Sequence, residues 1–211
     1  MTTPAEPDKQ PPRGGDPSQP FTQELQFSNL SARVPEKVAR GVFATGAFVL
    51  QAQTEFAIDF VLRMNQPHQV VARVFLPISL VPRIIDTLKV NLDKYRQTHG
   101  PAPAAATANP AAGAPAAANP TTTVNVDEVY QDLKMSEDVM CGAYANALLV
   151  VHNASEFCLD FIVNVYPRAV ITARIFMSAP QVPILLASIT QAWQNLQAKR
   201  QQQQQPPPPA P

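Results

Sequence analysis

The stretch Glu55-Phe56-Ala57-Ile58-Asp59-Phe60 returns as Glu156-Phe157-Cys158-Leu159-Asp160-Phe161. The same offset, with no gap, lays Ala72-Arg73-Val74-Phe75 on Ala173-Arg174-Ile175-Phe176, Val81-Pro82 on Val182-Pro183, and Gly41 on Gly142. A chain patterned in this way is a tandem duplication, and any fold it adopts must be made twice. Each copy is short enough that its own core is only marginally sufficient. The sequence therefore predicts that the copies pair, as a pseudo-dimer whose halves are covalently joined.

Composition shifts mark the boundaries. Residues 1–20 are rich in Pro and Gly and are expected to be disordered. Residues 21–98 hold the first module and 123–200 the second. Between them, residues 99–122 form an Ala/Pro-rich linker without the apolar mass to pack. Residues 201–211, QQQQQPPPPAP, form a tail that builds no core. Such a proline run is suited to an aromatic-lined groove or to solvent.

Within each copy the pattern predicts an α+β unit. Val124 and Val126 alternate with polar residues and suggest a short strand in the second copy. Short helices are expected at 35–40 and 136–141, with Ser136 as an N-cap and Pro35 at a helix start. Strands follow at 46–53 and 147–153, at 55–64 and 156–165, and at 69–76 and 169–177. In the second strand Phe56, Ile58, Phe60, Leu62 and Met64 form a period-two apolar row, repeated by Phe157, Leu159, Phe161, Val163 and Val165. That row predicts one strand face on a core. The last element is a helix with Ile84, Ile85, Leu88, Leu92 and Tyr95 on one face, matched by Leu185, Leu186, Ile189, Trp193 and Leu196. Pro82 and Pro183 belong in its first turn. The expectation is an antiparallel sheet of three or four strands with a C-terminal helix covering one face, built twice.

Sixteen basic and sixteen acidic side chains cancel, so the basic excess of a nucleic-acid binder is missing. No secretory leader pattern opens the chain and no apolar run is long enough to span a bilayer, which makes the cytoplasm the default. Cys141 and Cys158, both in the second copy, read as two free buried thiols.

Few residues recommend themselves for chemistry. Asp59 and Arg73 recur as Asp160 and Arg174, on neighbouring predicted strands. Their first reading is a cross-strand ion pair that fixes register. A ligand-clamping role is the alternative, since a guanidinium on a sheet can hold a carboxylate or phosphate. Glu55 and Glu156 also recur. Glu55 stands about 13 Å along the strand from Asp59, beyond the spacing of a glycosidase carboxylate pair, and belongs to a hairpin turn. His68, His99 and His152 have no counterparts across the repeat and make no metal-ligand spacing. Neither a phosphate-binding loop nor a nucleophile elbow occurs. The residues thus predict no catalytic set, no cofactor and no metal. They point to a non-enzymatic interaction or assembly module, with a partner that is the other copy, a second chain or another protein. A small-ligand or nucleic-acid-binding regulator using Arg73 and Arg174 is the rival.

The motifs Tyr144-Ala145-Asn146, Glu156 to Phe161, Ala173-Arg174-Ile175-Phe176-Met177-Ser178 and Leu185-Leu186 resemble the bacterial and archaeal DUF3467 family. Its pattern runs from a YAN-like turn through an EF-x-LDF strand and an Arg-led step ending in Ser-Pro to a helix with paired leucines. The second copy departs at Ser178-Ala179-Pro180, with one extra residue before the proline, and at Pro183. The first departs further, with Phe43-Ala44-Thr45 at the turn and Leu76-Pro77 at the step. The family is functionally uncharacterised, so the resemblance implies a tandem of one unit and no mechanism.

Overall fold

The computed structural model describes residues 32–102, 130–165 and 168–204. The start of the first module, the Val124/Val126 strand, most of the linker and the proline run lie outside them. The described residues gather into one compact unit. In chain order the first copy contributes α1 (Glu36–Ala39), β1 (Val42–Ala44), β2 (Gly46–Gln51), β3 (Glu55–Leu62), β4 (His68–Pro77) and α2 (Val81–His99). The second contributes β5 (Leu133–Met135), α3 (Glu137–Met140), β6 (Ala143–Tyr144), β7 (Ala147–His152), β8 (Glu156–Val163), β9 (Val170–Ser178) and α4 (Val182–Gln204). A short 3-10 turn leads into each long helix, and Pro82 sits in the first turn of α2, where its missing N–H removes no intrahelical bond. Ser136 precedes α3 but makes no side-chain cap; its carbonyl instead accepts from Val139 and Met140.

Each copy makes an antiparallel three-stranded meander, β2-β3-β4 or β7-β8-β9, followed by its helix. The edge strands were not legible in the sequence. β1, from the first copy, pairs in parallel with β9 of the second, Val42 opposite Ile175 and Phe43 opposite Phe176. Reciprocally, β6 pairs in parallel with β4, Ala143 opposite Val74 and Tyr144 opposite Phe75. β5 also joins β4, and Arg33 makes the matching bridge to Val170. Each sheet is thus completed by the other copy.

One fused core results. Phe56, Ile58 and Phe60 pack with Phe157, Leu159 and Phe161 and with the buried stripes of α2 and α4. Phe60 meets its own counterpart Phe161 at a ring distance of 5.7 Å, which places the pair near the pseudo-two-fold axis.

The apolar row does not run the full strand as its period suggested. β3 and β8 end at Leu62 and Val163, and the register shift beside Phe60/Val61 and Phe161/Ile162 lies in their neighbours, with Val71 of β4 and Thr172 of β9 as the extra residues. Val61 and Ile162 are fully buried, while Met64 is 72 % exposed and Val165 54 %. Ile162 gains its cover from Ala32 and Val38 of the first copy. The third residue of the aromatic–Ala–polar triplet secures this bulged end. Thr45 Oγ1 accepts from the Arg63 amide at 2.8 Å, and Asn146 Oδ1 accepts from the Asn164 amide at 2.6 Å.

Candidate functional site

The sheet faces turned away from the core carry the residues that the sequence singled out. Asp59 lies opposite Arg73 and Asp160 opposite Arg174, in register. Arg73 Nε and Nη2 donate to the two oxygens of Asp59 at 2.7 and 2.7 Å. Arg174 holds Asp160 in the same way at 2.7 and 2.8 Å. The forked geometry matches a planar guanidinium to a carboxylate. Asp59 is wholly buried and Asp160 is 4 % exposed. Hydrogen bonding to the carboxylate raises both guanidinium pKa values above their ordinary range.

The other copy lies over each pair. The Tyr130 hydroxyl donates to Asp59, and burial followed by that carboxylate pushes the phenol pKa up. Arg174 Nη1 donates to the Ala39 carbonyl at 3.4 Å, at the end of α1. Gly41 and Gly142 permit this approach. Both have positive φ, and a Cβ at Gly142 would stand 2.4 Å from Phe75 Cε2, one at Gly41 2.5 Å from Phe176 Cε2. The glycine retained in both copies is therefore a contact between copies.

Glu55 and Glu156 are not drawn into these pairs. Each opens the central strand, opposite Pro77 or Ser178, with its side chain exposed. Thr54 Oγ1 donates to Glu55 Oε2 at 2.6 Å, and Asn153 Oδ1 accepts from the Ser155 and Glu156 amides at 2.8 Å each. The thiols are not the two buried groups expected: Cys141 is exposed and Cys158 half-buried, both unpaired. Burial, then the Asp160 carboxylate, pushes the Cys158 thiol up to about 11.

Beside each ion pair runs a cross-strand row of apolar side chains. On one sheet it is Tyr144, Phe75, Ala57 and Leu50, each opposite the next in register. On the other it is Phe43, Phe176, Cys158 and Val151. Both begin with an aromatic from the opposite copy, Tyr144 at 49 % and Phe43 at 40 % exposure. On the first sheet a depression of about 400 Å3 follows the row, lined by Leu50, Gln51, Ala52, Glu55, Ala57, Arg73 and Phe75. Sequence reasoning missed these rows because strand exchange assembles them. The available signal was the aromatic at positions 43 and 144, which no core pattern claimed.

A third cluster joins the copies. Tyr95 of α2 donates to the Ala154 carbonyl at 2.8 Å and packs on His152 and Phe157. His99 and His152, unrelated by sequence spacing, meet at a ring distance of 6.0 Å. Among the described residues no three His, Cys, Asp or Glu side chains gather as metal ligands, and no helix is long and apolar enough to cross a membrane.

Residues 1–102 match the model of DUF3467, a family of proteins of unknown function. The match spans the first copy, whereas the motifs carrying the resemblance lie mainly in the second. Comparisons with curated proteins and with solved structures give no match.

Proposed function

We propose that the chain is a non-enzymatic protein–protein interaction module, two DUF3467-type units fused into one pseudo-dimer that presents a docking row on each outer sheet face. The observation that carries this reading is the paired row itself. Tyr144-Phe75-Ala57-Leu50 and Phe43-Phe176-Cys158-Val151 leave apolar side chains partly exposed on four consecutive strands. Sheet faces of this kind mark interaction surfaces. The Asp–Arg pairs anchor the strands beneath the partner and are not ligand clamps, because each fork is already closed on a carboxylate. An anionic ligand would have to displace Asp59 or Asp160. The unpaired cysteines support a reducing compartment such as the cytoplasm for this module.

The test is quantitative affinity enrichment from the native host with the full chain as bait. Leu50→Lys and Val151→Lys, one per row, should each deplete a reproducible set of partners. Val90→Lys, on the exposed side of α2, should deplete none. Identical partner sets for all three variants would refute the docking role.

A further inference from the structure

We infer that Phe48 and Arg63, on the outer face of the first sheet, form a seat for the chain's own segment 124–129, with Asp127 and Glu128 paired to Arg63 and the flanking valines on Phe48. Neither Phe48 nor Arg63 belongs to a docking row, so the seat is separate from the surface proposed for partners.

The seat is a cation over an aromatic ring. Phe48 of β2 lies opposite Asp59 of β3, so the two share the outer face. The Arg63 guanidinium stands 5.2 Å from the centre of the Phe48 ring, and its Nη1 lies 3.4 Å from where Gly46 would carry a Cβ. Among the described residues no carboxylate is within ion-pair distance of Arg63; Asp59 is closed on Arg73 instead. Burial lowers the Arg63 pKa and no neighbouring acid raises it. A half-buried charge without a counter-charge is costly, and a guanidinium held flat against a ring presents its fork to a carboxylate.

The segment ends beside this seat. The described chain stops at Ala102 and resumes at Tyr130. β5 lies at the margin of the sheet, next to β4, yet Tyr130, just before it, sets its hydroxyl on Asp59 of β3. Tyr130 therefore stands over the outer face, inward of β5, and the residues before it start from there. Phe48 is one strand spacing from Asp59, about 5 Å, and three extended residues span about 10 Å, so Asp127 and Glu128 are within reach of Arg63. The other copy supplies the control. There the repeat offset puts Asn164 in place of Arg63, Leu149 in place of Phe48, and Gln26-Phe27 in place of Asp127-Glu128. The cation, its ring and the acidic pair occur together in one copy and are all missing from the other. Leu149 is 42 % exposed, whereas Phe48 is half-buried.

The experiment is hydrogen exchange of the full-length chain, read by mass spectrometry over residues 124–129 at low ionic strength and at two protein concentrations. These amides should exchange about tenfold or more below the unstructured rate, equally at both concentrations. Arg63→Gln should return them to the unstructured rate while the amides of β5 stay protected. Asp127→Asn with Glu128→Gln, which leaves the sheet untouched, should give the same loss. Combining the three substitutions should release no more than either set alone, because the two sets remove one interaction. Unstructured rates in the intact chain, protection that survives Arg63→Gln or the neutralised acids, or losses that add on combination overturn the inference. Protection that rises with protein concentration assigns the seat to a second copy and overturns it as well. Free exchange of the segment, with partners depleted by Arg63→Gln in the enrichment, assigns the seat to another protein and does the same.

Discussion

Replacing Asp59 with Asn tests whether the ion pair is a buried anchor or an ordinary surface contact. The carboxylate is wholly buried and receives Arg73 Nε, Arg73 Nη2 and the Tyr130 hydroxyl. Asn keeps the volume but removes the charge, and its amide N–H2 points donors at donors. Arg73 is then left with 18 % of its side chain exposed and no counter-charge. Breaking one member of a buried pair costs about 3–5 kcal/mol. At about 2–4 °C per kcal/mol for a domain of this size, Tm should drop by roughly 10 °C. Urea unfolding followed by far-UV circular dichroism gives the free energy directly. The double variant Asp59→Leu with Arg73→Met removes both charges and should recover more than half of the loss, because nothing charged is then left unpaired. In the second copy, Asp160→Asn should cost less. Arg174 keeps its bond to the Ala39 carbonyl and is slightly more exposed, and Asp160 takes its additional contact from the Cys158 thiol, a weak donor. A loss below about 1 kcal/mol for Asp59→Asn would falsify the reasoning, since that is the worth of an exposed pair.

Gly142→Ala and Gly41→Ala should each destabilise by about 2–4 kcal/mol, from a positive-φ penalty plus a clash with Phe75 or Phe176, measurable in the same urea experiment. Residues 1–102 and 103–211, produced separately, should be unfolded alone and regain far-UV signal as a 1:1 complex on mixing, because each supplies an edge strand to the other; a folded monomeric half would contradict the exchange. Desolvation, followed by the charges of His99 and Lys94, lowers the pKa of His152. The folded state therefore binds fewer protons there than the unfolded chain, and stability held above about pH 6.5 is lost as pH falls through the folded value. His152→Gln should flatten the decline in urea midpoint between pH 7.5 and 5. With a thiol reagent at pH 8, Cys141 should react at once and Cys158 only on unfolding; equal rates would count against its raised pKa.

Period and offset made the meander and the helix legible. Alternation along β3 and β8 reported the inner face as far as Phe60 and Phe161, and the 3.6-residue spacing reported α2 and α4. Both signals are local. The bulge was hidden because it falls at Val71 of β4 and Thr172 of β9, between Val70 and Ala72 and between Ile171 and Ala173, where no clear apolar–polar alternation exists to be broken. Strand exchange was hidden for a different reason. β1 and β6 are only three and two residues long, and their partners lie in the other copy, far along the chain, as Val42 with Ile175 and Ala143 with Val74. The Asp–Arg pairs could be placed on neighbouring strands from the repeat alone, but their burial depends on α1, α3 and Tyr130 arriving from the opposite half.

Joining the halves in one chain changes what substitution can do. In a symmetric dimer every change appears at both junctions. Here the junctions differ. Tyr95, His99 and His152 gather at one; Leu196, Arg200 and Gln51 hold those positions at the other. The positions kept identical include those that strand exchange itself requires: both glycines under an aromatic ring, both forked pairs, and the Phe60/Phe161 contact at the axis. The differences include two within the rows, Ala57 against Cys158 and Tyr144 against Phe43. A duplicated scaffold carrying two unlike surfaces is what a module needs to hold two different partners at once. On this argument Leu50→Lys and Val151→Lys should deplete different proteins from the same enrichment, an outcome that a symmetric assembly surface would not give.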